Sequence, residues 1–151
     1  MVPEGFASGD GSATDTACRH LHRVSGTGDV VPAGGGTPMT GARPELSVVI
    51  PLYRSEQTLP ALLERLRATL DALGRSWEVV LVDDGSPDET WNVLGEILRG
   101  RPEGVRAIRL MRNYGQHNAL MCGFRHAEGN VVVTMDDDLQ NPPEEIPKLL
   151  D

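Results

Sequence analysis

Four short apolar runs each lead into a segment with helical periodicity, and this alternation restricts the possible folds most. The runs are Leu46 to Leu52, Trp77 to Asp83, residues 105–111 and residues 131–135. Rich in β-branched residues and bounded by Gly, Pro, Asn or Asp, they read as strands. Pro51, which lacks an N–H, is expected to mark the end of the first. After it, Thr58 can cap a helix with Pro60 in its first turn; Leu59, Leu62, Leu63, Leu66, Leu70 and Leu73 form its stripe, and Gly74 closes it. Ser86-Pro87-Asp88-Glu89 reads as a capping box that starts a second helix, with Trp91, Leu94, Ile97 and Leu98 buried. A third helix is expected over residues 115–127, with Ala119, Leu120, Gly123 and Phe124 on one face, and a fourth starts near Pro143. Strand–helix alternation implies an α/β, Rossmann-like parallel sheet, right-handed crossovers and helices on both faces. Ligands in such sheets bind beyond the carboxyl ends of the strands, where strand order reverses. A strand order 3-2-1-4 would set the loops after the first and fourth strands across one crevice.

The first 44 residues differ in kind. Gly, Ser, Thr, Pro and Asp dominate them and no apolar period is present, so residues 1–44 are expected to be a disordered extension, with the domain at 45–151. They carry no basic segment leading into an apolar core, so no secretory signal is expected. No run reaches the ~20 apolar residues of a membrane span. The net charge of −8 argues against a nucleic-acid partner. Cys18 and Cys122 have no metal or redox spacing and read as thiols of a reducing compartment.

The fourth strand reads as buried and delivers Asp136-Asp137-Asp138 at its end. In extended chain, Asp136 and Asp138 point to one side, about 6–7 Å apart. At that spacing two bare carboxylates repel by about 2–3 kcal/mol in an effective dielectric of roughly 20. A divalent cation turns that penalty into binding. Oxygen ligands suit Mg²⁺ or Mn²⁺, and Gln140 can add a carbonyl oxygen on the same side. Against this stands a solvated acidic turn leading into a helix start at Asn141-Pro142-Pro143-Glu144. Ahead of the third helix, Arg112 and the free N–H groups from Gly115 onward can contact an anion or base.

Met135-Asp136-Asp137-Asp138-Leu139-Gln140-Asn141-Pro142-Pro143-Glu144-Glu145-Ile146-Pro147 resembles the metal-binding segment of family 2 glycosyltransferases, more narrowly those that load a sugar onto a polyprenyl phosphate. Arg112-Asn113-Tyr114-Gly115-Gln116-His117 is similar to the bacterial undecaprenyl-phosphate aminoarabinose transferases. The resemblance runs from about Leu46 to Asp151. It implies a GT-A fold and an inverting transfer from a nucleotide-diphosphate sugar to a polyprenyl phosphate. Asp136 and Asp138 would carry the catalytic metal, Mg²⁺ or Mn²⁺, with Gln140. The nucleotide would lie against Pro51, Tyr53, Glu56 and Asp83, with Asp84 as the alternative to Asp83. The metal would neutralise the leaving diphosphate, and an anionic acceptor needs no strong general base.

The resemblance also implies that the acceptor site and membrane-contacting segments lie beyond Asp151. The chain is therefore expected to be the donor-binding half of the domain, truncated after the fourth strand and inactive alone, with a full-length parent at the cytoplasmic face of a membrane. A non-catalytic nucleotide-sugar-binding fragment is the alternative. A dinucleotide oxidoreductase is excluded, because Pro51-Leu52-Tyr53-Arg54-Ser55-Glu56 contains no Gly-x-Gly-x-x-Gly turn.

Overall fold

A computed structural model describes residues 43–100 and 102–150. Residues 1–42, and with them the expected disorder, lie outside the described residues. Element order is β1 (Leu46–Leu52), α1 (Leu59–Ala72), β2 (Trp77–Asp83), α2 (Thr90–Arg99), β3 (Val105–Arg109), α3 (Gln116–His126), β4 (Val131–Thr134), a 3₁₀ turn (Pro143–Glu145) and α4 (Ile146–Leu150). All pairings are parallel, in the order β3-β2-β1-β4. That is the expected order, and it puts the reversal between β1 and β4.

β1 is buried along its whole length, as the central strand of a sheet covered on both faces must be. Its alternate residues divide the core. Leu46, Val48, Ile50 and Leu52 face α1 and α2, packing with Leu59, Leu62, Leu66, Leu70 and Leu94. Val49 faces the other side, with Val80, Val82 and Ile108, against Ala119 and Cys122 of α3. Gly123 lets α3 come close: a Cβ there would sit 2.3 Å from a Val49 methyl.

Several local expectations are corrected. β1 itself keeps the expected bounds, ending at Leu52, one residue past Pro51, which lies opposite Val82. Thr58 makes no side-chain cap, its hydroxyl donating instead to the Ser55 carbonyl at 3.3 Å. α2 begins at Thr90, four residues after the expected cap, because Ser86, Asp88 and Glu89 are spent on loop contacts. Phe124 is 41% exposed, and Cys122 takes the buried place on α3. β4 is not a buried strand: Val131 and Val132 are 46% and 42% exposed and only Val133 is covered, since β4 pairs with β1 alone. An apolar run reads alike in a central and an edge strand.

At the amino ends of the strands a polar network ties the α3–β4 connection to the sheet. The Glu78 carboxylate, 7% exposed, accepts from the Ser47 hydroxyl at 2.5 Å and from the Glu128 amide at 2.6 Å, and it pairs with Arg106. Arg106 also donates to the His126 carbonyl at 2.7 Å and to Glu128 at 3.2 Å. The Gly129 amide donates to Ser47 Oγ at 2.8 Å. None of the described helices is long and apolar enough to cross a membrane.

Candidate active site

At the carboxyl ends of the strands, four loops meet and are laced by side chains. β1 ends in Tyr53-Arg54-Ser55-Glu56. The Arg54 amide donates to Ser86 Oγ at 3.0 Å and the Ser55 amide to Thr90 Oγ1 at 2.8 Å; both acceptors lie beyond β2. Glu56 accepts from the Glu89 amide at 2.9 Å, just ahead of α2. Pro51 is buried in the strand, whereas Tyr53 is 42% exposed with the Arg54 guanidinium 5.5 Å from its ring centre.

The two aspartates after β2 do different things. Asp83 is wholly buried: Oδ1 accepts from the Ser86 amide at 3.0 Å, and Oδ2 lies 3.3 Å from Arg109 Nε without a hydrogen bond. Burial pushes its carboxyl above the usual aspartate range, against the pull of Ser86 and Arg109. Asp84 accepts from the Tyr114 amide at 2.7 Å and the Gly115 amide at 2.9 Å, so both oxygens tie down the loop ahead of α3. Burial raises its pKa as well, and those two amides oppose the shift. Arg112 is exposed, with its guanidinium 4.9 Å from the Tyr114 ring centre. Gly115, at φ +96°, precedes the first turn of α3.

Gly85 makes this arrangement possible. It sits at φ +64°, and a Cβ on it would come within 2.4 Å of the Arg112 backbone. The Asn113 amide nitrogen follows at 2.7 Å, and all of these are backbone atoms that cannot swing away. Left-handed strain and overpacking together predict that Gly85→Ala loses about 2–3 kcal/mol of stability. Urea unfolding checks this, and Gly74→Ala, left-handed but in open space, should lose less.

After β4 the chain bends and the three carboxylates diverge. Asp136 accepts from Gln116 Nε2 at 2.8 Å, Asp137 from the Ser55 hydroxyl, and Asp138 from the Gln140 amide at 3.0 Å. The same-side spacing of Asp136 and Asp138 assumed an extended strand, but β4 stops at Thr134 and a bend replaces the pleat. Among the described residues no three acidic, His or Cys groups form a ready-made metal cage. The donor chemistry nonetheless fits a hard divalent ion. Asp136, Asp138 and Gln140 offer oxygen only, Asp138 and Gln140 are exposed, and Mg²⁺ needs just one or two carboxylates when water and substrate phosphates complete its shell.

Sequence reasoning did not single out Ser55, Thr90, Gln116, Arg109 or Asp137. Arg109 meets Asp83 because they are register partners on adjacent strands, which only the strand order reveals. Gln116 lay inside the Arg112 to His117 segment and could have been tested as a partner for an aspartate.

A parallel sheet covered on both faces, with carboxylate-bearing loops meeting beyond its strand ends, is a Rossmann-like α/β domain, the class in which ligands bind at the switch point. Residues 47–151 match Glycosyl transferase family 2, and the chain belongs to that family. The undecaprenyl-phosphate 4-deoxy-4-formamido-L-arabinose transferase of Pectobacterium carotovorum is 51% identical over 106 residues, covering 70% of this chain and 32% of that protein. Its namesake from Klebsiella pneumoniae is 49% identical with the same coverage. The chain thus spans about a third of the length of these curated relatives. Among solved structures, the mannosyltransferase PcManGT from Pyrobaculum calidifontis, in complex with GDP-Man and Mn²⁺, superposes with a TM-score of 0.54 at 25% identity over 65% of this chain and 28% of its own. Glucosyl-3-phosphoglycerate synthase from Mycobacterium tuberculosis, in complex with UDP, gives 0.55 at 25% over 71% and 39%. The fold is that of GT-A glycosyltransferases.

Proposed function

We propose that residues 45–151 form the donor-binding half of an inverting polyprenyl-phosphate glycosyltransferase. The observation that supports this most is the meeting of the β1 and β4 loops across the switch point, where Asp137, between Asp136 and Asp138, accepts from the Ser55 hydroxyl. The nucleoside would lie against the exposed Tyr53, and would reach Pro51 and the buried Asp83, whose carboxylate can accept from base N–H or ribose hydroxyls, once the loops that cover them part. Glu56 and Asp84 would shape that pocket from behind by holding the neighbouring loops. Arg112 and the first turn of α3, after Gly115, would face the anionic part of the donor. Asp136 and Asp138, with Gln140, would hold Mg²⁺ or Mn²⁺, which when bound neutralises the leaving diphosphate. The acceptor is a lipid phosphate of the undecaprenyl type, as the relatives' names suggest, and the parent protein works at the cytoplasmic face of a membrane.

The test is transfer of radiolabelled sugar to undecaprenyl phosphate in detergent, run with residues 1–151 and with a chain extended to the relatives' length. Metal-dependent transfer by the longer chain, with donor binding but no turnover by the shorter, is the expected result. Equal turnover by both would contradict the division into halves, and no turnover by the longer chain with any uridine or guanosine donor would contradict the activity.

A further inference from the structure

We propose that Asp137, the middle carboxylate, is a positioning residue that brackets the donor-facing loop after β1, and is not a ligand of the metal. The proposal rests on the donor-binding reading above. Asp137 Oδ2 accepts from the Ser55 hydroxyl and lies 3.5 Å from the Tyr53 amide, so one oxygen reaches across from the β4 loop to the β1 loop. Ser55 is fixed from behind. It is 2% exposed, and its amide donates to Thr90 Oγ1, whose own hydroxyl donates to Asp88 at 2.7 Å. Asp137, Ser55, Thr90 and Asp88 therefore form one chain of contacts from the aspartate loop to the start of α2.

Backbone strain points the same way. Among the described residues just two non-glycine residues have positive φ, Arg54 at +57° and Leu139 at +61°. One lies beside Ser55 and the other two residues past Asp137. Such conformations persist where the surroundings hold them in place. The bracket supplies that restraint, and what it presents is the exposed Tyr53 ring with the Arg54 guanidinium over it. The neighbouring aspartates bond elsewhere, Asp136 to Gln116 and Asp138 within its own turn. Accepting a hydroxyl proton takes an oxygen and no charge, so an amide oxygen can do it. Holding a divalent cation draws on the negative charge.

That difference makes the proposal testable with Asp137→Asn against Asp137→Ala. Three readouts apply: Mn²⁺ affinity by electron paramagnetic resonance, UDP affinity by calorimetry with Mn²⁺ present, and amide exchange at residues 53–55 without ligand. Asp137→Ala should weaken UDP about tenfold, the loss of one hydrogen bond. It should also speed exchange at residues 53–55 and leave Mn²⁺ affinity unchanged. Asp137→Asn should stay within about twofold of the parent throughout, because its oxygen still accepts. Ser55→Ala, cutting the bracket from the other side, should reproduce Asp137→Ala. Equal loss of Mn²⁺ affinity in both Asp137 variants would overturn the proposal in favour of a metal ligand. Faster exchange across the whole sheet would overturn it in favour of a general stability contact. If neither UDP nor GDP binds the parent, the donor reading fails, and exchange at residues 53–55 still decides the bracket.

Discussion

Glu78→Ala is expected to destabilise the fold by about 3–4 kcal/mol, the cost of breaking a largely buried ion pair from one side. Glu78 is the hub of the network beneath the sheet: its carboxylate receives Ser47, the Glu128 amide and Arg106. Removing it leaves the buried Ser47 hydroxyl and the Glu128 N–H without their acceptor, while the Arg106 guanidinium keeps only the His126 carbonyl and Glu128. The hydroxyl and the N–H must rehydrate or stay unpaired, which is the costly case. The loss also frees the connection from α3 to β4, held to Glu78 and Ser47 through the amides of Glu128 and Gly129. β4 carries the aspartate loop, so some effect should reach the far end of the strand. Glu78→Gln keeps an acceptor for Ser47 and Glu128 and should lose about half as much, the charge-assisted bond to Arg106. Urea unfolding of the two variants checks the order. A loss below about 1 kcal/mol for Glu78→Ala would mean the network is solvated and worth no more than a surface pair.

The sheet was legible because β1 and β2 are dense apolar runs and α1 carries an uninterrupted leucine stripe; local propensity and burial agree there. The start of α2 was not. Ser86 has the composition of a cap, but its amide donates to Asp83, three residues back, and its hydroxyl receives the Arg54 amide, a long-range demand that no local pattern displays. Tertiary contacts outbid the capping box. The exposure of Val131 and Val132 was hidden for another reason: hydrophobicity does not say how many neighbours a strand has. At the site, the loops that meet were legible once the strand order was assumed, since each follows a strand. The division of labour among carboxylates was not. Asp83 and Asp84 are adjacent and chemically identical, yet one is buried beside Arg109 and the other ties two amides. Period-two reasoning paired Asp136 with Asp138 and passed over Asp137, which makes the contact between loops.

The second large effect concerns donor and metal together. Asp136→Ala and Asp138→Ala should each remove the metal-dependent part of donor binding. Diphosphate and carboxylates repel one another until a cation lies between them, so losing a ligand loses the favourable term and keeps the repulsion. A drop of at least ~100-fold in affinity for UDP or GDP with Mn²⁺ is expected, about 2.7 kcal/mol or more. Asp138 is the cleaner probe, because among the described residues its side chain accepts only from the Gln140 amide of its own turn, whereas Asp136 holds Gln116. Circular dichroism and the urea midpoint should show both variants folded like the parent, Asp138 being exposed and Asp136 half-buried. The decisive measurement is therefore calorimetric titration of the parent and Asp138→Ala with UDP and with GDP, with Mn²⁺ and with EDTA. Binding by the parent to at least one nucleotide that needs Mn²⁺ and vanishes in Asp138→Ala is the predicted result. Equal nucleotide affinity with and without metal, unchanged in Asp138→Ala, would contradict the assignment of this crevice as a metal-dependent donor site.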